Sequence, residues 1–287
     1  MKKVLSIILM TFFMALSVYS FSKQNEVITG LQQGNYETVK ELLLEWEKES
    51  PDDPDLMTGW FNYYLHRKAE YKNFDGYMKN GHYGGYSRLV YDKDDFKTAI
   101  SYLDRALQNH PYRMDIHFGK INTFLSDDDY TEGIEAIIDF LKIYDKNKTE
   151  WYWSYNQSFI ANNWNVEGTV IDALTDYCDM FDYLVERDSI KNVLDEILMR
   201  FPDNVIFLNY LAHYYSAGQD YDKTIETLIT AYQIDDTDYI IVANIAATYE
   251  RKEEYDEAEK WFTVLASMEP DAAKQYAQKG LERIKNR

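Results

Sequence analysis

Residues 205–238 read VIFLNYLAHYYSAGQDYDKTIETLITAYQIDDTD, and residues 239–272 read YIIVANIAATYERKEEYDEAEKWFTVLASMEPDA. Laid one above the other, these stretches match at the positions that would face a core. Leu208 pairs with Val242, Leu211 with Ile245, Ala212 with Ala246 and Tyr215 with Tyr249. Tyr221 then pairs with Tyr255, Thr224 with Ala258 and Leu228 with Phe262. Within each stretch the apolar positions recur at spacings of three and four, the mark of an amphipathic helix. Each stretch therefore predicts two helices around a polar turn: Ala217-Gly218-Gln219-Asp220 in one, Arg251-Lys252-Glu253-Glu254 in the other.

The prolines extend this period along the chain. Only five occur, and Pro202 and Pro270 stand 68 residues apart, twice 34. The intervals from Pro51 to Pro111 and from Pro111 to Pro202 fit the same step with insertions of 26 and 23 residues. One step upstream of the quoted stretches, 171–204 carries Leu174, Tyr177, Cys178, Phe181, Ile190, Leu194 and Leu198, with Arg187 where its sister units have an aromatic. Further upstream, Tyr36, Val39 and Leu43 match Phe96, Ala99 and Leu103, and then Tyr130, Gly133 and Ile137. The first helices there are looser, with Met57, Trp60, Phe61 and Tyr64 in one and His117, Ile121 and Phe124 in another.

This pattern resembles the tetratricopeptide repeat, a 34-residue helix–turn–helix unit with an aromatic–leucine–glycine–tyrosine cluster, a small residue, an aromatic and a closing proline. Val242, Ile245, Ala246 and Tyr249 occupy the first cluster, and Ala258, Phe262 and Pro270 the second. The resemblance implies an all-α fold over 23–287, a right-handed α-solenoid. Its clearest repeats are 171–204, 205–238 and 239–272, and 273–287 forms a capping helix with Tyr276, Leu281 and Ile284 as apolar contacts. It also implies a concave groove lined by first helices that binds a peptide or protein segment. The matching positions are Asn62, Asn122, Thr175, Asp179, Asn209, His213, Asn244 and Ala247. The variant of the family that clamps a terminal carboxylate needs Lys or Arg there, whereas this chain places Asp172, Asp179 and Asp182 nearby.

The two insertions, about 66–95 and 146–170, lie outside the period. The first holds Tyr71, Phe74, Tyr77, Tyr83, Tyr86 and Tyr91 among four glycines; the second holds Trp151, Trp153, Tyr155, Phe159 and Trp164. So aromatic a composition argues against disorder. Two expectations stand for these segments: a cover over the helices, or a ligand surface for glycan built on Trp151, Trp153, Tyr155, Trp164, Tyr83 and Tyr86.

Residues 1–22 form a different kind of segment. Lys2 and Lys3 precede an apolar run from Val4 to Leu16, and Ser20 and Ser22 offer cleavage points. This reads as a bacterial-style signal peptide, the alternative being a retained anchor. A periplasmic or secreted protein follows, without lipid attachment at the junction, since Cys178 is the chain's single cysteine. After cleavage no stable membrane insertion is expected.

The rest of the composition narrows function by exclusion. The 287 residues carry 49 acidic against 30 basic side chains, a net charge of −19, which would repel a nucleic-acid backbone. Gly81-His82-Tyr83-Gly84-Gly85-Tyr86 is glycine-rich but lacks the Lys-Ser/Thr of a phosphate loop. Asp127-Asp128-Asp129 falls at an inter-helix turn and lacks the glycine and glutamate of a calcium loop. The histidines (His66, His82, His110, His117, His213) show no ligand spacing. No catalytic, metal or cofactor site is expected, and an enzyme built around His82 is the weakest of the readings. A non-catalytic interaction scaffold in the cell envelope is the leading one.

Overall fold

The computed structural model describes residues 23–77, 83–127, 129–181 and 187–287. The leader over 1–22, His82, Asp128 and Asp182 lie outside the described residues, as do the side chains of Tyr77, Tyr83, Tyr86 and Arg187. The chain divides into two compact units, Met1–Val170 and Ile171–Arg287.

The first unit begins with α1, helical over 23–32, followed by α2 (Tyr36–Glu49), α3 (Pro54–His66), α4 (Lys93–Asn109), α5 (Met114–Ser126) and α6 (Tyr130–Lys146). Proline and aspartate set the start of α3. Pro54 needs no amide partner in the first turn, and the Asp53 carboxylate accepts from the Asp55 amide at 2.9 Å. Asp92 caps α4 in the same way, accepting from the Asp95 amide at 3.0 Å. Val39, Leu43, Trp46, Leu56, Trp60 and Tyr63 make one buried cluster between these helices. Close approach is bought with missing side chains: a Cβ on Gly59 would lie 2.7 Å from Leu43 Cδ2, and one on Gly133 2.5 Å from Leu125 Cδ2. Ala99 fills the position in α4 that corresponds to Gly133 and is fully buried.

Both insertions contain β-structure, so the all-α expectation holds for the helical repeats and not for these segments. The first forms an antiparallel hairpin of β1 (Glu70–Tyr77) and β2 (Tyr83–Val90), paired from Glu70 with Val90 to Tyr77 with Tyr83. It sits inside the turn of one helix pair, between α3 and α4. Tyr71 is 79% exposed, and Glu70, Lys72, Asn73, Asp75, Gly85 and Ser87 are exposed as well. The expectation of a cover is therefore corrected for this segment: a two-stranded ribbon with solvent on most of its surface hides little apolar area. An ion pair closes its base, where Arg67 holds Asp95 through two guanidinium nitrogens and Lys68 adds a contact at 3.4 Å.

The second insertion does serve as a cover. Its short strands β3 (Tyr152–Trp153) and β4 (Gln157–Ser158) flank a single turn over Ser154–Asn156. Trp151 enters the core beside Tyr112, His117, Phe140 and Tyr144, and Phe159 is buried against Trp153 and Trp164.

The second unit contains α7 (Val166–Phe181) from Ile171 onward, α8 (Arg187–Arg200), α9 (Val205–Ala217), α10 (Tyr221–Ile234), α11 (Tyr239–Arg251), α12 (Tyr255–Ala266) and α13 (Asp271–Lys285). From α9 to α11 and from α10 to α12 the first residue advances by 34, the period of the sequence. Asn204, Asp220 and Asp238 cap α9, α10 and α11 through side-chain oxygens. Ala212, Ala246 and Ala258 are buried where helices approach, and Thr224 takes the matching place in α10 with its hydroxyl turned to the Asp220 carbonyl at 2.8 Å. Phe262, Val242 and Leu265 form the core beneath α13. Ala273, Ala277 and Gly280 line the buried face of α13, and a Cβ on Gly280 would lie 2.4 Å from the Phe262 ring. Leu211, expected in the core like Ile245, is only half-buried. Cys178 is packed inside, and burial pushes its thiol up to about 12, so it stays neutral and unreactive.

Candidate functional site

The second unit presents a groove between the exposed faces of α9 and α11. It encloses about 250 Å³, and its lining includes Asn209, His213, Ser216, Asn244, Arg251 and Tyr276. The helix period explains the arrangement. Asn209, His213 and Ser216 stand three or four residues apart on α9, so they share one face, as do Asn244, Ala247 and Arg251 on α11. Leu208 of α9 and Val242, Ile245 and Ala246 of α11 are buried away from the groove, while Ala212, with Thr224 and Leu228 of α10, forms its floor.

Two hydrogen bonds tie these faces together. Asn244 Nδ2 donates to Asn209 Oδ1 at 2.8 Å, and Arg251 Nη1 donates to Ser216 Oγ at 2.9 Å. An amide side chain has four hydrogen-bonding positions, so the asparagine pair spends one on each side and keeps both donors and acceptors for a bound group. On the α7 side, the Tyr210 hydroxyl donates to the Asp179 carboxylate. Tyr276 reaches the groove from α13, which is fastened by the Arg283 guanidinium on Glu250 at 2.9 and 2.7 Å.

Of the residues expected in a groove, Asn209, His213, Asn244 and Ala247 come together here, with Asp179 beside them through Tyr210. Thr175 gives its hydroxyl to the Ile171 carbonyl of its own helix at 2.9 Å. Asn62 and Asn122 belong to the first unit; Asn62 donates to the Thr58 carbonyl of its own helix at 2.8 Å, and Asn122 is exposed on α5. Sequence reasoning missed Ser216, Arg251 and Tyr276. Arg251 looked like a turn residue because it starts the polar run before Tyr255, yet it closes α11 one turn beyond Ala247.

The aromatic ligand surface needs a correction. Trp151 is 0% exposed, and its indole nitrogen donates to the Asn147 carbonyl at 2.8 Å, so it cannot meet a ligand. Trp153 is half-buried against Phe118 and Phe159, and Trp164 is 42% exposed with its ring edge-on to Phe159. Tyr155 is half-buried, and its amide donates to the Asp55 carboxylate at 3.1 Å. The three tryptophans thus share no exposed face. Tyr83 and Tyr86 occupy β2 opposite Tyr77 and Phe74.

The charged cluster of the first unit is structural in character. Arg113, almost wholly buried, reaches Asp55 at 2.6 Å and Asp115 at 2.8 Å, joining the start of α3 to the start of α5. Burial pushes the Asp55 carboxyl above its ordinary value, while the Arg113 guanidinium pulls against it. His117 is held neutral: burial lowers it to about 4, and its ring nitrogen lies 2.9 Å from the Pro111 carbonyl. Among the described residues no group of His, Cys, Asp and Glu could hold a metal ion, and no helix is long and apolar enough to cross a membrane.

This architecture is a stack of helix–turn–helix repeats with a tetratricopeptide-like fold. No family model matches the chain, and no curated protein matches its sequence. Solved structures similar to it include the crystal structure of MamA, at 17% identity over 68% of this chain and 94% of that one, with a TM-score of 0.40. YrrB, described as a TPR protein with an unusual peptide-binding site, is similar at 12% identity over 83% and 97%, with a TM-score of 0.44. PilF of Pseudomonas aeruginosa is similar at 11% identity over 66% and 80%, with a TM-score of 0.38.

Proposed function

We infer that the chain is a non-catalytic interaction scaffold whose second unit binds an extended segment of a partner protein. The observation that carries this reading is the Asn209–Asn244 pair, set in an open groove between two repeats. Amide side chains in that position bond the main chain of a guest, whose own amides and carbonyls recur at the same steps whatever its side chains are. Selection of peptides from a random display library on the full chain tests it. Asn244→Ala and Asn209→Ala should each weaken the selected peptides about ten-fold, roughly 1.4 kcal/mol. Peptides that bind both variants as well as the parent would overturn the reading.

The leader at 1–22 supports a location in the cell envelope, reached by export and cleavage. Mass spectrometry of the exported protein should find a chain that begins near residue 23. A chain that keeps Met1 and stays with the cytoplasmic fraction would count against export.

A further inference from the structure

Two opposite charges stand at the two sides of the groove. On the α7 side the exposed Asp179 accepts from the Tyr210 hydroxyl, and among the described residues no cation pairs with it. On the α11 side the exposed Arg251 bonds the Ser216 hydroxyl and makes no ion pair among the described residues, the neighbouring Glu250 carboxylate, which feels its charge, being held by Arg283. That is unusual in a chain with 49 acidic side chains and 30 basic ones. Arg67, Arg105, Arg113, Arg200 and Arg283 each hold a carboxylate. Arg251 instead is oriented by a neutral hydroxyl, which fixes one edge of its guanidinium and leaves its charge for an incoming group.

By the 34-residue register Asp179 stands level with His213 and Arg251 lies one turn beyond Ala247, and the asparagine pair shares these helix faces one to two turns nearer their N-termini. Asp179 and Arg251 are carried by α7 and α11, two first helices with α9 between them. Two helix-to-helix steps of about 8–10 Å correspond to roughly five or six residues of extended chain at about 3.3 Å each.

We propose that the groove selects an internal, dipolar segment, with a Lys or Arg set against Asp179 and an Asp or Glu, roughly five or six residues away, set against Arg251. This rests on the groove reading given above, and it adds what the guest's side chains must be. The asparagines supply affinity for any extended main chain. The flanking charges supply register and partner choice, the usual contribution of exposed complementary charge. The strong acidity of the chain fits this division, because a uniformly acidic guest would be repelled and a uniformly basic one would oppose Arg251.

The test uses the full chain and C-terminally amidated peptides with one Lys and one Glu at separations of one to seven residues, in both orders. Binding should peak at five or six residues and fall as salt is raised. Arg251→Glu should weaken the best peptide about ten-fold and accept its Glu→Lys version, and Asp179→Lys should mirror this with the Lys→Glu version. Both residues are exposed, and unchanged helical content by circular dichroism confirms that the variants fold. If Asn244→Ala abolishes binding while the charge reversals leave the preferred peptides unchanged, the dipolar selection is wrong and the groove reading stands. If none of the variants alters binding, the groove reading itself fails. Peptides that bind only with a free C-terminal carboxylate would overturn the assignment of Arg251 to a side-chain acid.

Discussion

Gln219 and Glu253 hold the same left-handed backbone, with φ of 62° and 64°, at turns one repeat apart. Each precedes the first residue of a second helix by two positions, Tyr221 in one case and Tyr255 in the other. Gly34, at φ 70°, occupies the matching place before Tyr36 of α2. The turn thus demands a conformation that costs an L-residue about 1–2 kcal/mol. Gln219→Gly or Glu253→Gly should therefore raise the stability of the second unit by up to about 1 kcal/mol, the relief being partly offset by glycine's greater freedom when unfolded. Gly34→Ala should lower that of the first unit by about 1 kcal/mol. Urea melts of the three variants check both signs.

Acid should weaken the first unit through His117. Its imidazole is neutral in the fold because burial lowers it to about 4, against an ordinary value of 6.5. The unfolded chain binds the extra proton first, so the stabilising effect is complete above pH 6.5 and disappears as pH falls toward 4. The full difference is on the order of 3 kcal/mol. His117→Gln should flatten the pH dependence of melting between these limits, and an unchanged slope would show that other groups carry it.

The cap of the second unit rests on two contacts that can be broken separately. Gly280→Ala forces a methyl against the Phe262 ring and should cost about 1–3 kcal/mol. The Arg283 guanidinium holds the Glu250 carboxyl below its ordinary value of 4.5, so the stability this contact contributes is full above pH 4.5 and is lost as pH falls through the lowered value. Hydrogen exchange of α13 in Glu250→Gln should quicken at neutral pH while α9 and α10 keep their protection.

Truncating the tryptophans of the second insertion should separate packing from surface. Trp151→Ala removes a fully buried ring and should cost about 3–5 kcal/mol. Trp164→Ala should cost much less, within about 1 kcal/mol, because nearly half of the ring already meets water. Equal losses would mean that both rings belong to the core.

The parts of the fold that were legible in the sequence are those that repeat. Ala212, Ala246 and Ala258 announced close helix contacts because three small residues at fixed offsets are hard to explain otherwise, and all three are buried. Leu211 misled because one helical turn offers two apolar rows, and in α9 the row of Leu208 and Ala212 is the buried one. The hairpin was hidden because β1 and β2 mix glycine, tyrosine and charge, with no clean alternation of apolar and polar residues. The same ambiguity applied to Trp151, since a large aromatic suits a core and a ligand face equally and only its neighbours decide. In the groove, Asn209, His213 and Asn244 could be placed from the repeat register alone. Arg251 could have been found by noting that it lies 35 residues after Ser216, the separation that also joins Asn209 to Asn244.

The ribbon formed by β1 and β2 departs after Arg67 and returns before Asp95, and those two residues clasp each other where it leaves. Helices α3 and α4 are consequently paired by their own contacts and by this clasp, whatever the excursion between them contains. That segment can lengthen, shorten or exchange its tip without shifting the register of a single helix, which makes it the place where relatives of this protein can diversify at the lowest structural cost.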